Sequence, residues 1–355
     1  MDIGALKAVL RKKKADFAII YNIGMDYSPN MLYFTGFSGV GVLIVPAKKP
    51  AFLLVPEMEK ERAKRGFSYV IGIEEKKMLD TLKAVLKEKG IKARKVALDK
   101  SSVTLNFNKA LKKSLSNFKT IDISRDLVKI REIKTKKEIS TIKKAFSISN
   151  SIFISMIKNF KKFKTEADVA AFLHYQALKK GCDVSFPPIV ASGSNGSMPH
   201  YEPKNATLKK GFCVVDFGIK HNGYCTDMTR TLFIGKPEKK DNDIYNFILK
   251  IQNQTIAFIK LNQKCSDVYD FCVKELGKYS KYFTHGLGHG IGVEIHELPN
   301  LTLGSKDKIG NNMAFTVEPG IYFPGKFGIR IEDSLIMANG KKEVLTKIPK
   351  KLISL

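Results

Sequence analysis

Apolar residues recur in two rhythms along this chain, and the rhythm changes partway. Residues 15–21 (ADFAIIY), 40–45 (VGVLIV) and 51–55 (AFLLV) are short apolar runs of the kind that form strands. Residues 78–90 and 108–115 carry the three- and four-residue spacing of helices. The start, MDIGALKAVLRKKK, has its charges after a weak apolar stretch, with no small-residue cleavage site behind it. It reads as a first helix, not a leader. Residues 1–125 are therefore expected to form an α/β unit without a catalytic constellation of its own.

A break is expected near residues 124–134. Beyond it, Thr135 and Glu138 have the Thr-x-x-Glu spacing of a capping box, opening a long helix to about Lys158. Thr165 caps a second helix, with Glu166 and Asp168 in its first turn and Gly181 at its end. A strand at PPIVASG and a hairpin around Asn222-Gly223 follow. The order then repeats: a helix over about 241–261, a helix capped by Ser266, and strands through Ile336. Two rounds of helix, helix and hairpin predict internal pseudo-symmetry in an α+β domain covering 131–355.

The acidic residues fall at matching places in the two rounds. Asp216 and Asp227 lie in GFCVVDFGIKHNGYCTDMTRTLF, Glu318 and Glu332 in TVEPG and GIRIEDS. Strand parity can be checked. A loop at His221-Asn222 sets Asp216 directly across from Asp227, and a loop at Asn222-Gly223 makes them diagonal neighbours; either way they share a face. Glu318 and Glu332 share a face if the turn at Pro324-Gly325-Lys326 has an odd length. Carboxylates side by side in apolar strands repel and are costly to bury bare. With a histidine-rich loop, HGLGHGIGVEIHE, nearby in sequence, four carboxylates and an imidazole can hold two divalent cations. An oxygen-rich set of this kind suits Mn²⁺, with Co²⁺ and Zn²⁺ as alternatives. Two such ions can share a hydroxide and clamp a tetrahedral intermediate, which is the chemistry of amide hydrolysis.

Composition narrows the setting. No apolar run approaches the ~18 residues needed to span a bilayer, so no membrane is expected. Five cysteines (Cys182, Cys213, Cys225, Cys265, Cys272) without CxxC spacing favour reduced thiols and a cytoplasmic location. A bridge between Cys213 and Cys225, on opposite arms of one hairpin, is the lesser alternative. The net charge of +27 comes from 53 lysines and only 8 arginines. Because the planar arginine fork dominates base and phosphate recognition, this balance argues for a solvated lysine surface and against a specific nucleic-acid partner.

The motifs together resemble a known family. HGLGHGIGVEIHE is similar, residue for residue, to the signature of prolidases and aminopeptidases P, the pita-bread metallopeptidases. VVDFG, TDMTRT, VEPG and RIED extend the resemblance, NMLYFTGFSG (30–39) is similar to the creatinase/prolidase N-terminal domain, and DLVKIREIKTKKEISTIKKA to the junction between them. The resemblance implies a pita-bread catalytic domain behind a smaller creatinase-like α/β domain, and a homodimer. It implies that Asp216, Asp227, His289, Glu318 and Glu332 ligate two metal ions, Asp227 and Glu332 bridging them. Glu318 would also shuttle protons, His200 would contact substrate near the scissile bond, and His285 and His296 would line the pocket and polarise the carbonyl. Arg330 would steady the bridging carboxylates. His174 and His221 are expected to have no catalytic part.

The implied activity is removal of an N-terminal residue that precedes proline by attack of the metal-bridged hydroxide, an Xaa-Pro aminopeptidase acting on peptides with proline second. An Xaa-Pro dipeptidase is the alternative. Many prolidases place an arginine just after HExP to bind the dipeptide carboxylate, whereas HELP here is followed by Asn300. The chain has no tryptophan, so any indole wall must be replaced by Phe or Tyr. A non-catalytic pita-bread scaffold is the alternative of another class, and the complete ligand set speaks against it.

Overall fold

The computed structural model describes residues 2–22, 24, 28–74, 77–116 and 118–355. The chain divides into two compact units, Met1–Arg131 and Glu132–Leu355.

In the first unit α1 (Ile3–Lys13) begins at Asp2, whose carboxylate accepts a hydrogen bond from the Ala5 amide. Then come β1 (Phe17–Asn22), α2 (Pro29–Thr35), β2 (Gly41–Pro46), β3 (Phe52–Pro56), α3 (Lys60–Lys64) and β4 (Val70–Ile73). They are followed by α4 (Met78–Glu88), β5 (Lys95–Leu98), α5 (Leu105–Leu115) and β6 (Lys119–Asp122). Among the described residues the strands form a six-stranded mixed sheet in the order β4-β3-β2-β1-β5-β6. Phe17, Ile19, Val42, Ile44, Leu54 and Leu98 face one side of it, packed under Leu82, Leu86, Phe107 and Leu111 of α4 and α5.

The break expected at 124–134 is largely a helix, α6 (Ser124–Glu132). Leu127 and Arg131, one turn apart, are both buried there, so a charged residue takes an inward position and the short segment reads as a break.

The second unit opens with α7 (Lys136–Asn159) and α8 (Glu166–Lys179), both begun by full capping boxes, Thr135 with Glu138 and Thr165 with Asp168. Strands β7 (Asp183–Val184), β8 (Ile189–Ser192), β9 (Gly211–Asp216), β10 (Ile219–His221), β11 (Tyr224–Cys225) and β12 (Thr229–Ile234) complete the first round. The second round is α9 (Lys239–Phe258), α10 (Cys265–Leu276), β13 (Gly288–Gly290), β14 (Glu297–Leu301), β15 (Met313–Val317), β16 (Gly320–Phe323), β17 (Phe327–Arg330), β18 (Asp333–Ala338) and β19 (Lys341–Val344). The N-cap of α10 is Lys264, not Ser266; the serine lies one residue inside the helix and its hydroxyl meets Asp267. Each helix pair covers its own strands: Phe146, Phe153 and Leu173 pack on Val215 and Leu232, while Tyr245, Ile248 and Cys272 pack on Phe315 and Leu335. All five cysteines are buried free thiols. Among the described residues no helix is long and apolar enough to cross a membrane.

Register carries the acidic residues to one place. His221 pairs with Tyr224, leaving Asn222-Gly223 as the loop with φ of 49° and 83°, the left-handed pair that a type I′ turn requires. The same register continues to Asp216 opposite Thr229, so Asp227 is the diagonal neighbour of Asp216. In the second round Phe323 pairs with Phe327 across the three-residue turn 324–326, and Val317 pairs with Asp333. The two ladders are in phase across the gap between them, which sets Glu318 opposite Glu332.

Candidate metal centre and substrate cleft

Asp227, His289 and Glu332 offer ligand atoms that all lie within 4.8 Å of one another. Nε2 of His289 lies 3.4 Å from Asp227 and 3.4 Å from Glu318. Its Nδ1 meets the Gly290 carbonyl at 3.0 Å, which assigns the proton to Nδ1 and leaves the Nε2 lone pair facing the carboxylates, as a metal ligand requires. Glycines flank that histidine for a steric reason. A Cβ at Gly288 would collide with the Thr316 carbonyl, and one at Gly290 with the Leu298 carbonyl, so β13 can lie close between its neighbours only without side chains there.

The carboxylates are under electrostatic tension. Burial raises the Asp227 carboxyl well above its ordinary value, and the charges of Asp216 and Glu318 push it further. Glu332 is raised for the same reasons, by burial first and then by Asp227. Asp216 is raised by burial, although Arg330 pulls against the shift. Asp216 Oδ1, Asp227 Oδ1 and Glu332 Oε1 are buried and accept no hydrogen bond. Orphaned anionic oxygens facing one another are a fit for divalent cations, which would satisfy both their lone pairs and their charge.

Supporting contacts hold this set from behind. Arg330 donates to Asp216 at 2.7 Å, to the Tyr322 hydroxyl at 2.7 Å and to the Thr229 hydroxyl at 3.1 Å. Thr229 in turn donates to Glu332 at 2.7 Å. The Arg330 guanidinium therefore sits directly on Asp216 and reaches Glu332, one of the two carboxylates that the resemblance has it steady, through Thr229. Thr316 accepts from the His289 amide and donates to Glu318, both at 3.0 Å. Behind His296, Glu297 is buried and receives Lys134 Nζ at 2.9 Å, pinning the histidine loop.

Asp216, Asp227, His289 and Glu318 line a cleft of about 840 Å³, along with His200, His285 and His296. Both nitrogens of His285 are engaged: Nδ1 meets the Gly286 carbonyl at 2.7 Å and Nε2 meets the Tyr322 hydroxyl at 2.9 Å. Burial lowers the affinity of His285 for a second proton, so it is neutral, donating from Nδ1 and accepting at Nε2. That arrangement leaves it no N–H for a substrate carbonyl. His296 stands edge-on to His289 with ring centroids 4.3 Å apart, and its ring is likewise biased toward neutrality by desolvation and by His289. The nitrogens of His200 and His296 have no protein partner among the described residues. Phe186, Pro187, Ile189 and Tyr201 form the apolar wall, so the rings that stand in for an indole are Phe186 and Tyr201. Asn300 also lines the cleft. His221 lies away from it, 3.4 Å from Cys182, and His174 lies 3.6 Å from Asp183 on the surface.

Sequence reasoning missed Thr229, Thr316 and Tyr322. Thr316 was within reach, because it stands two residues before Glu318 and so shares its face of the strand. Tyr322 had no local signal; it matters only because the 320–330 hairpin brings it to Arg330 and His285.

The comparisons decide the family. The model for "Metallopeptidase family M24" matches residues 140–339, and that for the "Creatinase/Prolidase N-terminal domain" matches 3–133. The chain belongs to metallopeptidase family M24. It is 34% identical to the Xaa-Pro dipeptidase of Pyrococcus furiosus, over 91% of this chain and 92% of that one. Its fold superimposes on the X-Pro aminopeptidase of Thermotoga maritima with a TM-score of 0.90 at 29% identity, covering 97% and 100% of the two chains. The Xaa-Pro dipeptidase from Bacillus anthracis gives a TM-score of 0.90 at 32% identity over 99% of each. This M24 peptidase thus has the pita-bread fold with a creatinase-like first domain, and it is a metallopeptidase of the Xaa-Pro group, a family that uses divalent metals.

Proposed function

We propose that this M24 peptidase is an Xaa-Pro aminopeptidase, cutting the bond before a proline in the second position of a peptide. One observation carries the choice over a dipeptidase. Among the described residues lining the cleft, Arg330 is the one lysine or arginine, and it is committed to Asp216, Tyr322 and Thr229. With Asn300 on the wall, the free carboxylate of an Xaa-Pro dipeptide meets no cationic side chain.

In this reading Asp216, Asp227, His289, Glu318 and Glu332 hold two divalent cations, with Mn²⁺ suited to so oxygen-rich a set. Bound there, such a pair supplies Lewis acidity and a water of lowered pKa. Glu318, oriented by the Thr316 hydroxyl, takes up and returns the proton. His296 has a ring N–H free to meet the oxygen that becomes negative in the transition state. His200 contacts substrate beside the scissile bond, and His285, kept neutral by burial and oriented by Tyr322 and Gly286, shapes the wall. A proline lacks the amide N–H and has a fixed φ, so a site for it needs an apolar slot and no acceptor. Phe186, Pro187 and Tyr201 provide that slot. The free N-terminal amine lies near the metal-binding carboxylates, which limits attack to the first bond.

The test is kcat/KM of the Mn²⁺-reconstituted protein for Xaa-Pro against Xaa-Pro-Xaa. The tripeptide should be cut at least as well as the dipeptide. A strong preference for the dipeptide would replace this reading with Xaa-Pro dipeptidase.

A further inference from the structure

We infer that Glu202 is a specificity-determining residue that favours peptides with a lysine or arginine just after the proline and disfavours acidic ones. This rests on the aminopeptidase reading, since it needs substrates that extend past the proline.

Glu202 lines the same cleft as the metal-centre residues. Its neighbours are fixed. The Pro199 carbonyl accepts from Arg330 at 3.3 Å, and the Tyr201 hydroxyl accepts from Asn195 at 3.0 Å. Asn195 donates in turn to Glu166, a fully buried carboxylate at the start of α8, which also accepts from the Ser192 amide and hydroxyl. Tyr201 is buried while His200 and Glu202 on either side are exposed, and both line the cleft. Glu202 itself makes no ion pair or hydrogen bond among the described residues. An unpaired carboxylate on an anchored loop is pre-organised to receive a cation.

Position sets which part of the substrate it meets. In extended chain two residues span roughly 6–7 Å. With His200 beside the scissile bond, the exposed Glu202 lies no further than that along the same cleft wall, within reach of a long side chain that follows the proline. Sign sets the preference. The protein carries a net charge of +27, yet Glu202, Asp216, Asp227 and Glu318 line the cleft against Arg330 as its one lysine or arginine among the described residues. Four carboxylates and His289 are spoken for by the metal centre and Arg330 offsets part of their charge, which leaves Glu202 as the uncompensated charge at the mouth.

The experiment compares Xaa-Pro-Lys-NH₂, Xaa-Pro-Ala-NH₂ and Xaa-Pro-Glu-NH₂ with Mn²⁺-reconstituted wild-type, Glu202→Gln and Glu202→Lys proteins. Amidation removes the terminal carboxylate, so only the third side chain differs in charge. Wild type should favour the lysine peptide over the glutamate peptide by roughly 5- to 20-fold in kcat/KM, mainly through KM, as expected for attraction and repulsion at a partly exposed site. Glu202→Gln should bring the ratio to within about twofold and keep kcat on the alanine peptide, and Glu202→Lys should reverse the ratio. Equal rates in wild type, or a preference that survives Glu202→Gln, would overturn this inference while the aminopeptidase reading stands. Cleavage of Xaa-Pro and of none of the tripeptides would overturn both.

Discussion

Glu318 is oriented by the Thr316 hydroxyl and stands beside the His289 imidazole, so removing its charge changes the chemistry more than the packing. Glu318→Gln should lower kcat by on the order of 10²-fold or more, the usual worth of a placed acid–base group, with an unchanged far-ultraviolet spectrum. His296→Ala should cost roughly 10²–10³-fold in kcat if its N–H meets the developing oxyanion. Near wild-type turnover by both variants would remove them from the roles given above. Tyr322→Phe tests the connection behind them. The hydroxyl serves Arg330 and His285 together, and its loss leaves two buried groups unmet, so unfolding free energy should fall by about 1–3 kcal/mol. A melting curve matching wild type would show that water replaces it. At this scale the sequence displayed the residues with charge, because a buried carboxylate demands an explanation. It concealed hydroxyl-bearing ones such as Thr229 and Tyr322, whose importance arises only from what they touch.

Local rules served well for elements that are locally determined. Both capping boxes, at Thr135 and Thr165, open helices where their spacing placed them, and the Asn222-Gly223 pair forms the turn its backbone freedom suits. They failed where packing decides. Ser266 has the chemistry of a cap but lies inside α10, since Cys265 is fully buried and the helix begins where that burial sets it. Thr165→Ala should destabilise the protein by about 1 kcal/mol in denaturant titration; no change would mean that water caps the helix equally well. Asp168, the other half of that box, has its carboxyl held below the ordinary 3.8, chiefly by the amides of Lys164 and Thr165. Its contribution is therefore complete above 3.8 and is lost as pH falls through its lower folded-state value. Asp168→Asn should flatten that part of the acid limb of the stability curve and leave neutral stability less dependent on pH there.

For the molecule as a whole, two charge systems with opposite requirements lie back to back on neighbouring residues. Glu332 faces the carboxylates, while Asp333 faces Arg230 at 2.7 Å, Lys350 at 2.6 Å and Gln252 at 2.9 Å. Burial would raise the Asp333 carboxyl, but the two cations more than offset it and hold it low. Arg230 also donates to the carbonyls of Ile348 and Pro349, so the pair ties the end of the chain to β12 and β18. Asp333→Asn should cost about 3–5 kcal/mol, the range for breaking a buried pair by removing one partner. The other system needs an added cation. Chelation should abolish peptidase activity and lower the melting temperature, and Mn²⁺ should restore both. Full turnover by rigorously metal-free protein would rule out the mechanism. Asp227→Asn should raise the melting temperature of metal-free protein, by easing the repulsion, and remove most of the increment that Mn²⁺ gives. The repeat of helix, helix and hairpin made the carboxylate system foreseeable in outline; the Asp333 system, a single strand position away, depends on a register that only the folded ladders display.

That register has a consequence for how the protein comes apart. Asp216 and Asp227 stand on the first round of the repeat, and His289, Glu318 and Glu332 on the second. Neither round holds enough donors alone, so bound cations would act as rivets through a seam. Loaded protein should open along that seam only after metal leaves, making the off-rate of the ions a clock for its lifetime. The two halves of the repeat remain bound to keep their distance across the seam constant to a fraction of an ångström.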